Sequence, residues 1–256
     1  MTKLTSLEKA LKLLDAIAKT KSVGLRDLAA ELGFPPSTTH RLLGVLTNSR
    51  YLKQDHETKK YQLSLKFLEM AAAVRENLDV IAVARPHMVI LTQATSETVN
   101  LAFFDGPEIV YVDQIANSDS LLRMFTRVGT RAPLYCTGVG KAYLAGQSTG
   151  FVSEYWRAAD KKKYTEKTIW DETALNRELD AVRRLGYAVD NEEMEIGVRC
   201  VASPIRQHIG SIIAAVSISG PSSRLTSDRT PRVGELVRRA AGEISADLGY
   251  TKKGPD

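Results

Sequence analysis

Cysteine is scarce in this sequence, and long apolar runs are absent. Cys136 and Cys200 are the only cysteines among 256 residues, and their wide separation excludes the disulfide framework of a small secreted domain. No run approaches the roughly 20 apolar residues that cross a bilayer. The first residues alternate charge with leucine and so lack the apolar core of a signal peptide. We therefore expect a cytoplasmic protein with no membrane partner.

The motifs of common enzyme classes are missing as well. The sequence has no Walker loop, no dinucleotide fingerprint, and no His or Cys spacing typical of a metal site. Either cysteine would need a nearby base to act as a nucleophile. Two of the four histidines fall in the first 60 residues, His87 lies in a predicted helix and His208 in a predicted turn. We expect no catalysis, no cofactor and no metal.

The surplus of positive charge is confined to one end of the chain. Residues 1–63 hold 11 Lys or Arg against 6 Asp or Glu, whereas residues 64–256 hold 24 of each. A basic module joined to a neutral one predicts a polyanionic partner for the first module only. A surplus of this size can also arise by chance. The sequence motifs are therefore needed to show whether it indicates nucleic-acid binding.

The first 64 residues carry the pattern of three short helices and a hairpin. Apolar residues recur at three- and four-residue steps over 4–17, 25–32 and 42–46, which predicts three amphipathic helices. The stretch 51–63 predicts two strands around a polar turn. Three helices followed by a two-stranded wing form the winged helix-turn-helix arrangement.

Local signals place the ends of these helices. Ser6 is suited to cap the first helix, and Ser37 or a residue beside it to cap the third. Gly33 is suited to end the second helix in a left-handed conformation. Pro35 and Pro36 cannot continue that helix, but proline fits the first turn of the next one. The sequence therefore predicts a sharp turn that directs the third helix.

The third helix begins with hydroxyl and basic side chains where a recognition helix reaches base edges. Such a helix lies in the major groove, and these side chains bond phosphates and bases there. The preceding helix and the wing supply further cations for flanking phosphates. The predicted DNA contacts are Arg26, Ser37, Thr38, Thr39, His40, Arg41, Lys59 and Lys60. The alternative is a small-molecule sensor or scaffold whose helix-turn-helix contacts protein instead of DNA.

Beyond residue 64 helical and strand-like runs mix. Residues 65–78 predict a linker helix, and 80–95 predict a second helix that is broken near Pro86. Strand-like runs follow from 97, one of them at 121–129, between helical stretches. This mixture predicts an α+β domain with a mostly antiparallel sheet flanked by helices. The expected organisation is a DNA-binding domain at 1–64, a linker helix at 65–78 and a second domain at 79–256.

Four segments, in order along the chain, resemble the IclR family of transcriptional regulators. They are "LRDLAAELGFPPSTTHRLLGVL" from Leu25, "GTRAPLYCTGVGKAYLA" (129–145), "LGYAVDNEEMEIGVRCVASPI" (185–205) and "AAVSISGPSSRLT" (214–226). The resemblance runs from about residue 4 to 250. It implies a winged helix-turn-helix, a linker helix and a GAF-like effector-binding domain. It also implies homodimers, often paired into tetramers, on double-stranded operator DNA. Pro36 and the pair Ser49-Arg50 depart from the family's usual residues.

The predicted effector site centres on "CTGVGKA". Gly138 and Gly140 let the backbone turn into a helix near Val139, whose free amides favour an anion such as a small carboxylate. The resemblance places further residues, including Asp190 and Cys200, around the same pocket. The predicted contacts are Leu121, Met124, Leu134, Cys136, Gly138, Val139, Asp190, Cys200, Val201, Ser217 and Ser219. Structural roles remain the alternative: turn glycines, serines that bond backbone, and cysteines that only pack.

Overall fold

The computed structural model describes residues 5–76, 79–116 and 127–251. The chain divides into two units, Met1–Leu78 and Asp79–Asp256. The elements of the first unit are helices α1 (Ser6–Ala18), α2 (Leu25–Leu32) and α3 (Pro36–Asn48), strands β1 (Leu52–Gln54) and β2 (Tyr61–Leu63), and helix α4 (Lys66–Glu76). The two strands pair antiparallel. This order is a winged helix-turn-helix followed by a helix, as the sequence predicts.

The helix ends follow local chemistry, with two corrections to the expected caps. Thr5, not Ser6, caps α1, and its side chain and that of Glu8 form a reciprocal capping box. Gly33 ends α2 with φ +65°, which confirms the predicted left-handed terminator. Helix α3 begins at Pro36 without a side-chain cap, so Ser37 does not cap it. Proline fits that position because the first helical amide has no intrahelical partner.

Two non-glycine residues of the wing region adopt left-handed backbone conformations. Arg50, between α3 and β1, has φ +63°, and Lys59, in the turn between the strands, has φ +57°. The turn is held by Asp55, whose Oδ1 accepts the backbone N–H of Thr58 at 2.7 Å and that of Glu57 at 3.0 Å. The tip is therefore ordered by an aspartate, and it leaves its lysines exposed.

The first unit has its own core, in which the three helices of the motif pack on the wing. Leu13 and Ile17 from α1, Leu28 from α2 and Leu43 from α3 are fully buried. They occupy the inward positions of the predicted periodicity. This core fixes α3 against α1 and α2 and leaves the opposite face of α3 to solvent.

In the described residues, the second unit is built on an antiparallel sheet of six strands in the order β5-β4-β3-β8-β7-β6. Its strands are β3 (Thr98–Asp105), β4 (Glu108–Ile115), β5 (Arg131–Pro133), β6 (Ala188–Asn191), β7 (Val198–Arg206) and β8 (Ile212–Pro221). Its helices are α5 (Asp79–Thr95), α6 (Gly138–Leu144), α7 (Thr149–Ala158), α8 (Glu172–Leu185) and α9 (Thr230–Asp247). The predicted α+β class with a mostly antiparallel sheet is thus confirmed.

Helices cover both faces of this sheet. Helices α5 and α9 pack on one face, and α6, backed by α8, packs on the other. Helix α5 continues through Pro86, so the predicted break there is wrong. Residues 121–126 of the strand-like run predicted at 121–129 lie outside the described residues. No helix in the described ranges is long and apolar enough to span a membrane.

Candidate functional site

Helix α3 presents most of its predicted contact residues to solvent. Ser37, His40 and Arg41 are exposed, and Thr38 is half-buried. One guanidinium nitrogen of Arg41 lies 3.5 Å from Ser6 Oγ at the start of α1. Arg26 on α2 and Lys59 and Lys60 on the wing are exposed too. Their DNA contacts stay predictions.

Thr39 is a correction to the predicted set. Its side chain is fully buried, and its hydroxyl donates to the Pro35 carbonyl at 3.2 Å. It lies on the core side of α3 with Leu42, Leu43 and Leu46. Thr39 therefore holds the start of the helix and has no surface to offer to DNA.

The exposed face of α3 also contains residues that the sequence prediction left out. A Cβ at Gly44 would meet no other atom within 4 Å, and Val45 is 54% exposed. Both continue the line of His40 and Arg41 along the helix. Lys53 on β1 is exposed as well and adds a cation to the wing. Val45 was expected among the apolar positions of the third helix, and its exposure corrects that expectation.

The second unit contains a cavity of about 130 Å³ between the start of α6, strand β4 and the β6–β7 connection. Four of the predicted effector contacts line it, namely Gly138, Asp190, Cys200 and Ser219. Further lining comes from residues that the sequence prediction did not include, namely Tyr111, Thr130, Arg131, Ala132, Thr137, Met194, Glu195 and Val198. We call this space the effector cavity.

A row of polar residues crosses the sheet under the effector cavity. Cys200 pairs with Asp190 on β6 and with Ser219 on β8, and Ser219 pairs with Thr98 on β3. Directly paired residues of antiparallel strands point to the same face, so all four side chains lie on the α6 side. Each is buried. The register therefore brings together residues that are distant in the sequence.

Burial sets the protonation of the acidic and thiol groups in this row. Burial, together with the nearby Glu193 carboxyl, raises the pKa of Asp190 from 3.8 to about 7. Burial also raises the pKa of the Cys200 thiol to about 11, although the Ser219 and Ser217 hydroxyls lower it. Near neutral pH the Cys200 thiol is protonated, and Asp190 is present in both its protonated and its ionised form. The site is thus poor in nucleophiles but contains a carboxyl that can donate a hydrogen bond.

Tyr111 is the lining side chain with most to offer to a ligand, because Arg131 pairs with Val110 and so points to the opposite face of the sheet. Tyr111 is buried, and the described residues give its hydroxyl no hydrogen bond. Burial raises its pKa well above 10, so the hydroxyl stays a donor. Arg131 is held by ion pairs to Asp105 and Glu108, both at 2.7 Å. Sequence analysis missed both because their cavity positions depend on strand register rather than on a motif.

Five predicted effector contacts do not line the cavity. Leu134, Cys136 and Val139 are fully buried in the core below it, where Cys136 Sγ lies 3.8 Å from Met194 Sδ. Val201 follows Cys200 on β7 and so points to the opposite face, since strand side chains alternate. Ser217 is fully buried and lies one pleat further along β8, outside the cavity lining. Leu121 and Met124 lie outside the described residues.

The start of α6 is fixed by side chains, as its sequence requires. The Thr137 hydroxyl accepts the Gly140 N–H at 3.1 Å and donates to the Pro133 carbonyl at 2.8 Å. A Cβ on Gly140 would lie 2.3 Å from the Leu134 backbone, so only glycine fits there. Gly138 faces the Cys200 thiol. These glycines are therefore packing requirements as well as turn chemistry.

One buried ion pair behind the cavity was not predicted. Lys141 on α6 is fully buried, and its ammonium donates to Glu193 Oε1 and lies 3.7 Å from Glu178 on α8. The same ammonium lowers the pKa of Asp190 against the effect of burial. Lys141 thus links the carboxyl of the effector cavity to the opposite side of α6.

None of the four histidines lines the effector cavity. In the described ranges no three His, Cys, Asp or Glu side chains form a group that could hold a metal ion. Burial raises the pKa of both cysteine thiols, so neither is activated.

Comparison with known proteins assigns both units. Residues 6–56 match the family described as the IclR helix-turn-helix domain. Residues 72–246 match the family described as the C-terminal part of the bacterial transcriptional regulator IclR. Together these matches span nearly the whole chain.

Individual relatives give the same assignment. The chain is 37% identical over 248 residues to the HTH-type transcriptional regulator KdgR of Escherichia coli (strain K12), covering 96% of this chain and 93% of that protein. It is 38% identical over 245 residues to the HTH-type transcriptional repressor AllR of the same strain, covering 95% and 90%. The crystal structure of Thermotoga maritima IclR superposes with a TM-score of 0.80 at 34% identity, covering 96% of this chain and 99% of that one.

Proposed function

This chain belongs to the IclR family of bacterial transcriptional regulators, and we propose that a small carboxylate in the effector cavity controls its binding to operator DNA. The family and the relatives named above are DNA-binding regulators and not enzymes. The effector class is our inference. The observation that carries it is the pair of donors at one cavity, the Tyr111 hydroxyl and the backbone at Gly138.

Asp190, the buried acidic residue of the cavity, fits an anionic ligand only when it is protonated. Because its pKa is about 7, Asp190 exists in both forms near neutrality. A bound carboxylate favours the protonated form, which can donate a hydrogen bond to it. Effector binding therefore takes up a proton at Asp190, and we expect its affinity to fall as the pH rises above 7.

On the DNA side, we propose that α3 enters the major groove. Ser37, His40 and Arg41 would meet bases or phosphates, and the wing lysines would meet the flanking backbone. Half-buried Gly44 and exposed Val45 add little side-chain bulk to the helix surface next to these residues. Arg26 on α2 would add a phosphate contact.

We propose that the protein acts as a homodimer. Measurement of its molecular mass in solution should detect the dimer. Leu7 and Leu11 of α1 and Leu65 and Leu68 at α4 are all more than half exposed. Exposed leucines at helical spacing are typical of a surface that a second copy covers. Two copies would place two recognition helices about 34 Å, or a multiple of it, apart. Pairing of two dimers and a cytoplasmic location belong to the same proposal.

A screen of small carboxylates tests the effector class. We expect at least one to raise the melting temperature of the second unit, and Tyr111→Phe to weaken that effect at least fivefold in effective concentration. The matched control is Tyr143→Phe, because Tyr143 on α6 stacks on Phe104 outside the cavity. If no carboxylate stabilises the protein, the effector is of another class. If the protein binds no DNA at low salt, the first unit does not act in DNA binding, and the alternative that its helix-turn-helix contacts protein is favoured.

A further inference from the structure

A second opening lies on the far side of α6 from the effector cavity. It is an open groove of about 740 Å³ along β6, which is an edge strand of the sheet, between α8 and the start of α9. Apolar side chains of Ile169, Ala174 and Val189 line part of it. The groove shares no lining residue with the effector cavity. We call it the edge groove.

The charged groups of the edge groove are mostly paired with one another or with backbone. Lys167 bonds Glu192 at 2.8 Å. Arg199 is buried and donates to Asn191 Oδ1 and to the Leu225 carbonyl. Glu178 on α8 also lines the groove, and its carboxylate lies 3.7 Å from the Lys141 ammonium. The lining residues with capacity left for a ligand include Glu193 and Arg177.

The two unused groups have opposite charge. Glu193 is 6% exposed, its Oε1 accepts the Lys141 ammonium, and its Oε2 has no hydrogen-bond partner in the described ranges. A buried carboxylate oxygen without a donor is costly, so a donor that reaches it would be favoured. Arg177 on α8 is exposed and makes no ion pair or hydrogen bond with the described residues. One side of the groove thus accepts a cation or donor, and the other accepts a carboxylate.

We propose that the edge groove is a second ligand site, for a free amino acid with a small apolar side chain. Its ammonium group would bond Glu193, its carboxylate would pair with Arg177, and its side chain would lie on the strip of Ile169, Ala174 and Val189. A zwitterion satisfies both unused groups, whereas a simple acid or a simple amine satisfies one. The inference is independent of the carboxylate effector, because the two sites have separate linings.

Titration calorimetry of L-leucine into the full-length protein tests this site. We expect saturable binding, and at least tenfold weaker binding of 4-methylpentanoate and of isopentylamine, which lack the ammonium and the carboxylate respectively. Arg177→Ala should weaken leucine binding at least tenfold. Arg184→Ala is the matched control and should change it less than twofold, since Arg184 is an exposed arginine of the same helix outside the groove.

Two further variants separate the ends of the ligand and the two sites. Glu193→Gln should remove the preference for leucine over 4-methylpentanoate, and Tyr111→Phe in the effector cavity should leave leucine binding unchanged. The proposal is overturned if leucine gives no saturable heat, if either analogue binds as tightly as leucine to the wild-type protein, or if Arg177→Ala binds as well as Arg184→Ala. The wild-type comparison with isopentylamine and 4-methylpentanoate decides the matter even if Glu193→Gln fails to fold.

Discussion

Adjacent residues on α3 have opposite roles, and burial separates them. Thr39 is fully buried and bonds the Pro35 carbonyl, whereas His40 and Arg41 are exposed. The cluster of hydroxyl and basic residues looks uniform in the sequence. Its division into a packing residue and contact residues follows from the 100° step between neighbours on a helix.

Arg41→Ala should weaken binding to operator DNA. Loss of one good phosphate or base contact costs about 1–3 kcal/mol, or roughly 5- to 150-fold in affinity. Lys19→Ala is the control, because it removes an exposed cation at the C-terminal end of α1 that is not among the predicted DNA contacts. Fluorescence anisotropy with DNA from upstream of the protein's own gene measures both. Equal affinities for the two variants would remove Arg41 from the interface.

Arg50→Gly should stabilise the first unit. Arg50 has φ +63°, a conformation that costs an L-residue roughly 1–2 kcal/mol and glycine very little. Glycine also gains backbone freedom in the unfolded chain, so we expect a net gain of about 0.5–1 kcal/mol. Arg50→Ala is the matched control and should show no such gain. Urea unfolding followed by far-UV circular dichroism compares them, and a gain for alanine equal to that for glycine would contradict the strain argument.

Asp190→Asn should flatten the pH dependence of the second unit's stability. The pKa of Asp190 rises from its ordinary value of 3.8, which applies to the unfolded chain, to about 7 in the folded chain. Between these two pH values the folded state therefore binds more protons than the unfolded state. The free energy of unfolding then falls as the pH rises through this window, by about 2–3 kcal/mol between pH 5 and 8. The variant lacks that contribution.

Tryptophan fluorescence is the measurement for this prediction. Both tryptophans, Trp156 and Trp170, belong to the second unit, so their signal reports its unfolding alone. Asp180→Asn, at an exposed ion pair on α8, should keep the wild-type pH dependence. A wild-type stability that rises from pH 5 to pH 8 relative to Asp190→Asn would show that the pKa of Asp190 is not raised.

At the scale of elements, the sequence predicts most of the fold. The periodicity of the leucines places α1, α2 and α3, and Gly33 ends α2 where expected. The antiparallel sheet and its flanking helices follow from alternating strand and helix patterns. Helix α5 runs through Pro86 although proline was expected to break it, because packing on the sheet outweighs one lost hydrogen bond.

The effector cavity is only partly predictable, and register explains why. Motifs identify Gly138 and Asp190, but Tyr111 and Arg131 enter through the pairing of β3, β4 and β5, which no local pattern specifies. Conversely, Val201 was expected in the cavity as a neighbour of Cys200, and strand alternation turns it away. A single sequence shows which residues belong to the same segment. It does not show which segments line the same cavity.

The two glycine positions Gly140 and Gly242 make a matched test of helix packing. A Cβ at Gly140 in α6 would lie 2.3 Å from the Leu134 backbone, whereas one at Gly242 in α9 would meet nothing within 4 Å. Gly140→Ala should destabilise the second unit by about 1–3 kcal/mol or more, through overpacking. Gly242→Ala should stabilise it by about 0.5–1 kcal/mol, through helix propensity. Thermal unfolding followed by tryptophan fluorescence compares them, and a loss of stability in Gly242→Ala would contradict the assignment of open space there.

At the scale of the whole molecule, the proposed function requires the two units to communicate. An effector can change DNA binding only if it binds two states of the protein with different affinity, and such coupling is typically about 1–3 kcal/mol. We propose that effector binding changes the linker geometry, and with it the spacing of the recognition helices of a dimer. The exposed leucines on α1 and α4 are where that dimer would form.

The most direct measurement is operator affinity with and without a stabilising carboxylate, in wild type, Tyr111→Phe and Tyr143→Phe. We expect the carboxylate to change the wild-type dissociation constant by roughly 5- to 150-fold, as the coupling above requires. Tyr143→Phe should behave like wild type, and Tyr111→Phe should need at least fivefold more carboxylate for the same change. A carboxylate that stabilises the second unit while leaving DNA affinity unchanged, or that acts equally on both variants, would contradict the account.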